Sequence, residues 1–454
     1  VTIDPDRLEG LLEVPARFVD ITIQEIETTN LVLKDGDLRE VSTGTTSGFG
    51  VRVLGKIWGF VSSNNPEGIR EKVEKAARLA GQGEREIGFD PAPPVEDRVE
   101  VKPRVDPAHV DLLDKKALLR RCEELAMGHD GIKSTSFSYS EHLVRTIYMN
   151  SEGTRIESCY PRVFFSAVAF AREGDQLQAG FERLGATGGW EAVAGAEEAT
   201  RQAVERGLRL LGARGAPSGE YQVILDPKLA GVFIHEALGH AAEADHVLQD
   251  ESVLKGRLGE AIASEEVTVY DDPTLEGSFG FYHYDAEGTR GVKTALIERG
   301  RLVGFLHSRE TASEMGLANT GNARAQGYAY QPLVRMSNTY FARGDSSLEE
   351  MVEDIREGIY LLGSKGGEVD TARGVFQFAA EEGFLIRKGE IKGPIRDVSL
   401  SGETLEILKK VEAVGRDRDL SVGFCGKASQ GVPVGDGGPH IMTRATVGGA
   451  GHGD

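Results

Sequence analysis

The sequence predicts an α+β protein, with an N-terminal α+β region followed by a strand-rich C-terminal domain that carries a histidine-bearing helix. Three observations lead there. Alternating apolar segments fold back through Gly-bearing reversals at several places along the chain. Amphipathic helical runs lie between strand blocks rather than alternating with single strands. At 454 residues the chain also exceeds one ordinary core, so several packed units are expected. We read an N-terminal α+β segment at 1–105, a central α+β segment at 106–218 packing against it, and a C-terminal domain at 219–454.

LVLKDGDLREV from Leu31, ALIERGRLVGF from Ala295 and FLIRKGEIKGP from Phe384 share one form, two alternating runs about a Gly-bearing turn, and read as β-hairpins. The first helix is NPEGIREKVEKAARLAG, with Asn65 as cap, Pro66 in the first turn, Gly81 at the end, and Ile69, Val73 and Ala76 on its apolar face. A second runs from Asp111 to Met127, with Leu112, Leu119, Cys122 and Leu125 near one side, which makes Cys122 a core residue. From Thr135 to Phe181 the pattern is strand-like, with a hairpin in RTIYMNSEGTRIES and a nearly continuous apolar strand in RVFFSAVAFA, so Cys159 reads as sheet packing. A helix over 191–211 follows, and Pro217 and Gly219 then break the pattern. Beyond the break EYQVILD is a strand, and Asp226 with Pro227 starts the helix PKLAGVFIHEALGHAAEADHV. A later helix in SSLEEMVEDIREGIYLL has Ser346 and Glu349 at capping-box spacing.

Composition narrows the function. Asp and Glu total 72 against 52 Lys and Arg, a formal charge of −20 and a pI near 5.1, which repels phosphate backbones and anionic lipid. Neither nucleic acid nor membrane is expected as a partner. No apolar run approaches the ~20 residues that span a bilayer, and VTIDPDRLEG is charged where a signal core would be apolar. Cys122, Cys159 and Cys425 are odd in number and far apart, which fits a reducing compartment. The expected location is cytoplasmic.

HEALGH places His235, Glu236 and His240 within six residues on one predicted helix. Imidazole is a suitable zinc ligand, and an adjacent carboxylate can take a proton from metal-activated water. The common helical zinc motif spaces its histidines four apart; here the spacing is five. On a regular helix five residues turn through roughly 500°, leaving the rings ~140° apart. A π-type turn of about 4.4 residues reduces the offset to ~50°. Gly239 makes such a distortion less costly, so an irregular turn is expected between His235 and His240. A catalytic zinc takes three protein ligands, so one more is needed. Glu243, Asp245 and His246 are nearby candidates and Cys425 a distant one.

Beyond HEALGHAAEAD, the chain contains DAEGTRGVKTALIERGRLVGFLHSR from Asp285, TGNARAQGYAYQPLVRMSNTYFARG from Thr320, and FCGKASQGVPVGDGGP followed by TVGG. In these ordered segments it resembles the TldD/PmbA family of metalloproteases, historically labelled modulators of DNA gyrase, and specifically its TldD-like catalytic side. The resemblance implies a zinc site of His235, His240 and Cys425, with Glu236 as the catalytic glutamate. It also implies a homodimer, or a heterodimer with a PmbA-like partner, and an enclosed cavity admitting unfolded or short peptides. The intact HExxxH motif separates this chain from the PmbA-like branch, and His440 and His452 near the end read as exposed tail residues.

Together these readings predict a zinc-dependent peptidase. The thiolate of Cys425 and two neutral imidazoles hold the metal, and Glu236 relays a proton from water to the leaving amine. His283, Tyr282 and Tyr284, in a segment read as an aromatic strand, are candidate oxyanion donors, and Glu243 and Asp245 can orient a histidine. The competing class is a non-hydrolytic regulatory or binding protein with a structural zinc, acting on DNA gyrase or a related partner. A structural zinc requires a fourth protein ligand.

Overall fold

The computed structural model describes residues 9–83 and 86–449. His452 lies outside the described residues.

The N-terminal half is one seven-stranded sheet. Its strands are β1 (Phe18–Lys34), β2 (Asp37–Leu54), β3 (Trp58–Ser63), β4 (Glu96–Glu100), β5 (Ile132–Asn150), β6 (Arg155–Glu173) and β7 (Gln176–Thr187). They run in the order β3-β2-β1-β5-β6, with β4 parallel to the first part of β6 and β7 antiparallel to the rest. Three helices pack on this sheet: α1 (Ile69–Ala80) against β2 and β3, α2 (Leu112–Met127) against β5, and α3 (Ala196–Leu211) against β6 and β7. Phe137, Phe165, Leu119, Cys122 and Val204 fill the space under α2 and α3. Cys122 is fully buried, as its place on the apolar side of α2 predicts.

All three predicted reversals form two-residue turns with both residues left-handed: Asp35–Gly36 (φ 49 and 82°), Arg299–Gly300 (44 and 79°) and Lys388–Gly389 (54 and 75°). That conformation matches strand twist and explains the Xaa-Gly pairs.

Several helix boundaries differ from expectation. Asn65 does not cap α1. Its side chain accepts from the Glu67 N–H at 3.0 Å, closing a separate turn, and α1 begins after Gly68 at φ 77°. The predicted helix over 191–211 is divided by Gly195 into a 3₁₀ turn (Trp190–Val193) and α3. The later capping box is Ser347 with Glu350, one residue on from the predicted pair, because Ser-Ser followed by Glu-Glu permits two registers. Ser346 is taken up instead by a backbone bond to Val414 at 3.2 Å. That helix stops at Asp354, and the apolar run after it enters the strand Glu357–Asp370.

The C-terminal region has two large sheets. One has eight strands, including Gly219–Leu225, Glu357–Asp370 and Ile441–Gly449; the other has six, ending in Asn338–Phe341, Gln430–Gly438 and, at its edge, Asp419–Lys427. Helix α4 (Pro227–Ile234) packs against strands of both. Its Leu229, Ala230, Phe233 and Ile234 are buried in the largest core. This explains why all of it but Lys228, which pairs with Glu182, is apolar.

Buried charges tie the halves together. Arg52 on β2 bonds to Asp20 on β1 and to Glu287 at 3.0 Å. Arg206 on α3 reaches Glu182 and Glu382, both at 3.0 Å, and Glu381.

Candidate metal centre

Asp226 fixes the start of α4 by accepting from the Leu229 N–H at 2.8 Å and the Gly363 N–H at 3.0 Å, one bond capping the helix and the other fastening it to the neighbouring sheet. After Ile234 the helix widens into a π turn over His235–Gly239, closed by the His240 N–H on the His235 carbonyl at 3.2 Å. The extra residue brings the two rings to 5.3 Å between centroids, nearly perpendicular. The chain then turns and re-enters a helix only at α5 (Ala244–Leu248). Gly239 serves by its lack of a side chain: a β-carbon there would stand 2.0 Å from Met336 Sδ, and its φ lies outside the left-handed range.

Cys425 reaches the same point from the edge strand Asp419–Lys427. Its Sγ lies 3.4 Å from His240 Nε2, and one donor atom from each of His235, His240 and Cys425 falls within 4.8 Å of the other two. Two nitrogens and a sulfur at such separations suit a tetrahedral zinc, whose bonds of about 2.0–2.3 Å put neighbouring donors some 3.3–3.8 Å apart. His235 Nδ1 is buried without a hydrogen-bond partner among the described residues. The electrostatics agree. Burial alone would raise the Cys425 thiol, but His235 and His240 outweigh it and pull the thiol down to about 4. Against burial, Cys425 and Glu236 hold His235 up to about 9, and Glu243 and Cys425 hold His240 above its ordinary value. The cluster is a thiolate facing imidazoles, the donor set a soft divalent cation would take.

The Glu236 side chain is 31% exposed, and its Oε2 is 3.8 Å from His240 Nε2, so it stands at the rim of the donor set and remains open to solvent. Behind His240 sits Glu243, fully buried, taking His240 Nδ1–H at 3.0 Å on Oε2. Burial would raise this carboxyl, yet His240 and Lys427 bring it down to about 2. Glu243, Asp245 and His246 do converge, as their spacing suggested, but Lys427 Nζ occupies the group at 2.9 Å from Glu243 and 2.8 Å from both oxygens of Asp245. That trio is an ion-pair cluster.

The other expected residues are held in contacts of their own. The segment around His283 is not a strand; Tyr284 makes one isolated bridge, to Arg290. Tyr282 donates to the Gly321 carbonyl at 2.8 Å, Tyr284 to Asp97 at 2.6 Å, and His283 Nδ1 faces Tyr160 Oη at 3.2 Å. The Tyr284 and His283 contacts join the halves of the molecule, and all three side chains are engaged within the protein. His440 is not an exposed tail residue: it is held between Tyr360 Oη at 2.9 Å and Asp417 at 2.8 Å.

Three residues escaped the sequence reading. Lys427 shares a strand face with Cys425, which period-two spacing could have shown. Arg335 is completely buried and donates to the Cys425 and Gln430 carbonyls, the latter at 3.4 Å. Asp436 is buried opposite Ser421, and burial pushes its carboxyl up to about 6 despite His235 nearby. An Asp within PVGDGG gives no periodic signal to find it by.

Comparison with known proteins bears on the whole chain. Three family models match: PmbA/TldA metallopeptidase domain 1 at 19–80, the central domain at 105–211 and the C-terminal domain at 218–449. A metalloprotease of Methanothermobacter thermautotrophicus is 46% identical over 454 residues, covering 98% of this chain and 99% of that one. A zinc metalloprotease TldD homolog of Saccharolobus solfataricus is 32% identical, covering 95% and 96%. The crystal structure of TldE from Thermococcus kodakarensis has a TM-score of 0.81 at 21% identity, covering 98% and 99%, and so shares the fold.

Proposed function

Because the chain belongs to the PmbA/TldA metallopeptidase family, we propose that it is a zinc-dependent peptidase, with His235, His240 and Cys425 as metal ligands and Glu236 as the catalytic carboxylate. The observation that carries this reading is the convergence of two imidazoles and one thiolate beside a carboxylate that remains partly open to solvent. Among the described residues the group has three members, which favours a site that keeps a position for substrate over a closed structural zinc.

A bound zinc supplies Lewis acidity toward a carbonyl oxygen and makes water a nucleophile near neutral pH. The Glu236 carboxylate accepts one proton from the attacking water as its oxygen bonds to the scissile carbonyl carbon, then gives that proton to the amide nitrogen as the C–N bond breaks. His240, held through Nδ1–H by Glu243, presents Nε2 toward the metal position. Unfolded or short peptides are the proposed substrates, and a dimer with a second copy or a PmbA-like partner the proposed assembly, on the strength of the family resemblance. We also assign it to the cytoplasm: all three cysteines are free, and no helix among the described residues is long and apolar enough to cross a membrane.

The test is to measure bound zinc and hydrolysis of an unfolded fluorogenic peptide before and after chelation. One zinc per chain, activity lost with the metal and regained on its return is the expected result. A protein that binds no zinc, or hydrolyses the peptide equally well without it, would overturn the reading.

A further inference from the structure

The donors of the proposed site come from two segments 185 residues apart, His240 after the π turn and Cys425 on an edge strand. Something must hold these segments in register, since a strand at the edge of a sheet is paired on one side only. Lys427 lies two residues beyond Cys425 on the same face of that strand, and its Nζ reaches across to the His240 side, 2.9 Å from Glu243 Oε2 and 2.8 Å from each oxygen of Asp245. Glu243 Oε2 is the same atom that takes His240 Nδ1–H, at 3.0 Å. One carboxylate oxygen thus holds the imidazole on one side and the ammonium on the other.

Resting on the peptidase reading above, we propose that Lys427 is a positioning residue: through Glu243 and Asp245 it locks the Cys425 strand to the His240 segment and so sets the geometry of the metal ligands. Lys427 does not serve as an electrophile for the substrate carbonyl. An ammonium has three N–H donors, and Lys427 spends them on Glu243, Asp245 and the Val334 carbonyl at 3.2 Å. The side chain is only 12% exposed and Glu243 is fully buried, so this link is poorly screened, unlike a surface ion pair. A buried hydrogen-bonded pair of this kind contributes orientation, because either partner left alone is costly. Orienting partners of metal ligands typically change metal affinity by ten- to a hundredfold when removed.

The experiment uses the full chain and measures zinc dissociation constants by chelator competition, with absorption spectra of the cobalt(II)-loaded protein, for the parent, Lys427→Met, Glu243→Gln, the double variant and Lys427→Arg. We expect each of the first two substitutions to weaken zinc binding by about ten- to a hundredfold. The double variant should lose clearly less than the product of the two single losses, because both substitutions break the Lys427–Glu243 link. Cobalt-loaded Lys427→Met should keep its thiolate charge-transfer band while its visible bands shift, and Lys427→Arg should recover part of the lost affinity. A lysine that merely supported the fold would lower the melting temperature and leave the cobalt bands of the loaded protein in place; that result overturns the proposal. So do zinc constants within about threefold of the parent in every folded variant, or losses that multiply in the double variant. If Lys427→Met does not fold, Glu243→Gln and Lys427→Arg carry the test: unshifted cobalt bands in both overturn it. A parent that binds no zinc overturns the peptidase reading itself, a different outcome from a parent that binds zinc indifferently to Lys427.

Discussion

Met336 Sδ occupies the space beside Gly239 that a β-carbon would need, 2.0 Å from where that carbon would stand. The π turn that brings His235 and His240 together therefore depends on a missing side chain as well as on backbone geometry. Gly239→Ala should destabilise the protein by roughly 1–3 kcal/mol, the usual cost of overpacking a full core, and should weaken zinc binding by moving the turn. Calorimetry of the metal-free protein and a zinc titration would check both. A fully stable Gly239→Ala variant with parental zinc affinity would show that Met336 swings aside freely.

Glu236 and Cys425 should separate chemistry from metal binding. Glu236→Gln keeps the size of the side chain and removes the proton acceptor, so zinc content should stay near one per chain while peptide turnover falls by at least about 10²-fold. Cys425→Ser replaces a soft sulfur donor with a poor one, and zinc content after dialysis should drop sharply. Equal turnover in parent, Glu236→Gln and Cys425→Ser would end the mechanism proposed here.

A pH effect on stability should come from His307, which is buried, with Nε2 unpartnered among the described residues and Nδ1 at 3.2 Å from Thr311 Oγ1. Burial lowers its pKa from 6.5 to about 4. The folded state thus resists a proton that the unfolded chain accepts below its ordinary pKa. The cost is absent above about pH 6.5, grows as pH falls toward 4, and levels off below it, reaching roughly 3 kcal/mol. Urea denaturation of the parent and His307→Asn at pH 7 and pH 4.5 would measure it. The asparagine variant should lose less stability between those two conditions, and equal losses would place the acid sensitivity elsewhere.

Much of this was legible in the sequence because it rests on local chemistry. The Xaa-Gly turns need left-handed residues and announce them, and Asp226-Pro227 marks the start of α4 as plainly as any cap can. The five-residue spacing even called for the π turn, since a regular helix could not aim both rings at one point. What escaped depends on contacts far along the chain. Asn65 and Ser346 were reasonable caps locally and lost to a neighbouring turn and to Val414. His440 looked like part of a loose tail until Tyr360 and Asp417 enclosed it. Lys427 sits in the same short CGK segment as Cys425, yet its role appears only when a strand and a turn 184 residues apart are placed side by side.

Arg335 holds the Cys425 strand by its backbone carbonyls, whereas Lys427 holds it chiefly through the side chains of Glu243 and Asp245. Completely buried, it donates to the Cys425 carbonyl and, at 3.4 Å, to the Gln430 carbonyl, so one guanidinium bridges both arms of the hairpin that carries the thiolate. A lysine there keeps the charge but has no planar fork, and cannot span two carbonyls in the same way. Arg335→Lys should leave one of those carbonyls without its donor, at about 1–3 kcal/mol for a buried polar group, and should loosen the position of Cys425 Sγ. The expected outcome is a lower melting temperature together with a zinc constant raised by about tenfold or more, as for other groups that orient a metal ligand. Chelator competition and calorimetry on the same preparation would separate the two effects. A variant that melts earlier but binds zinc like the parent would confine Arg335 to holding the hairpin together.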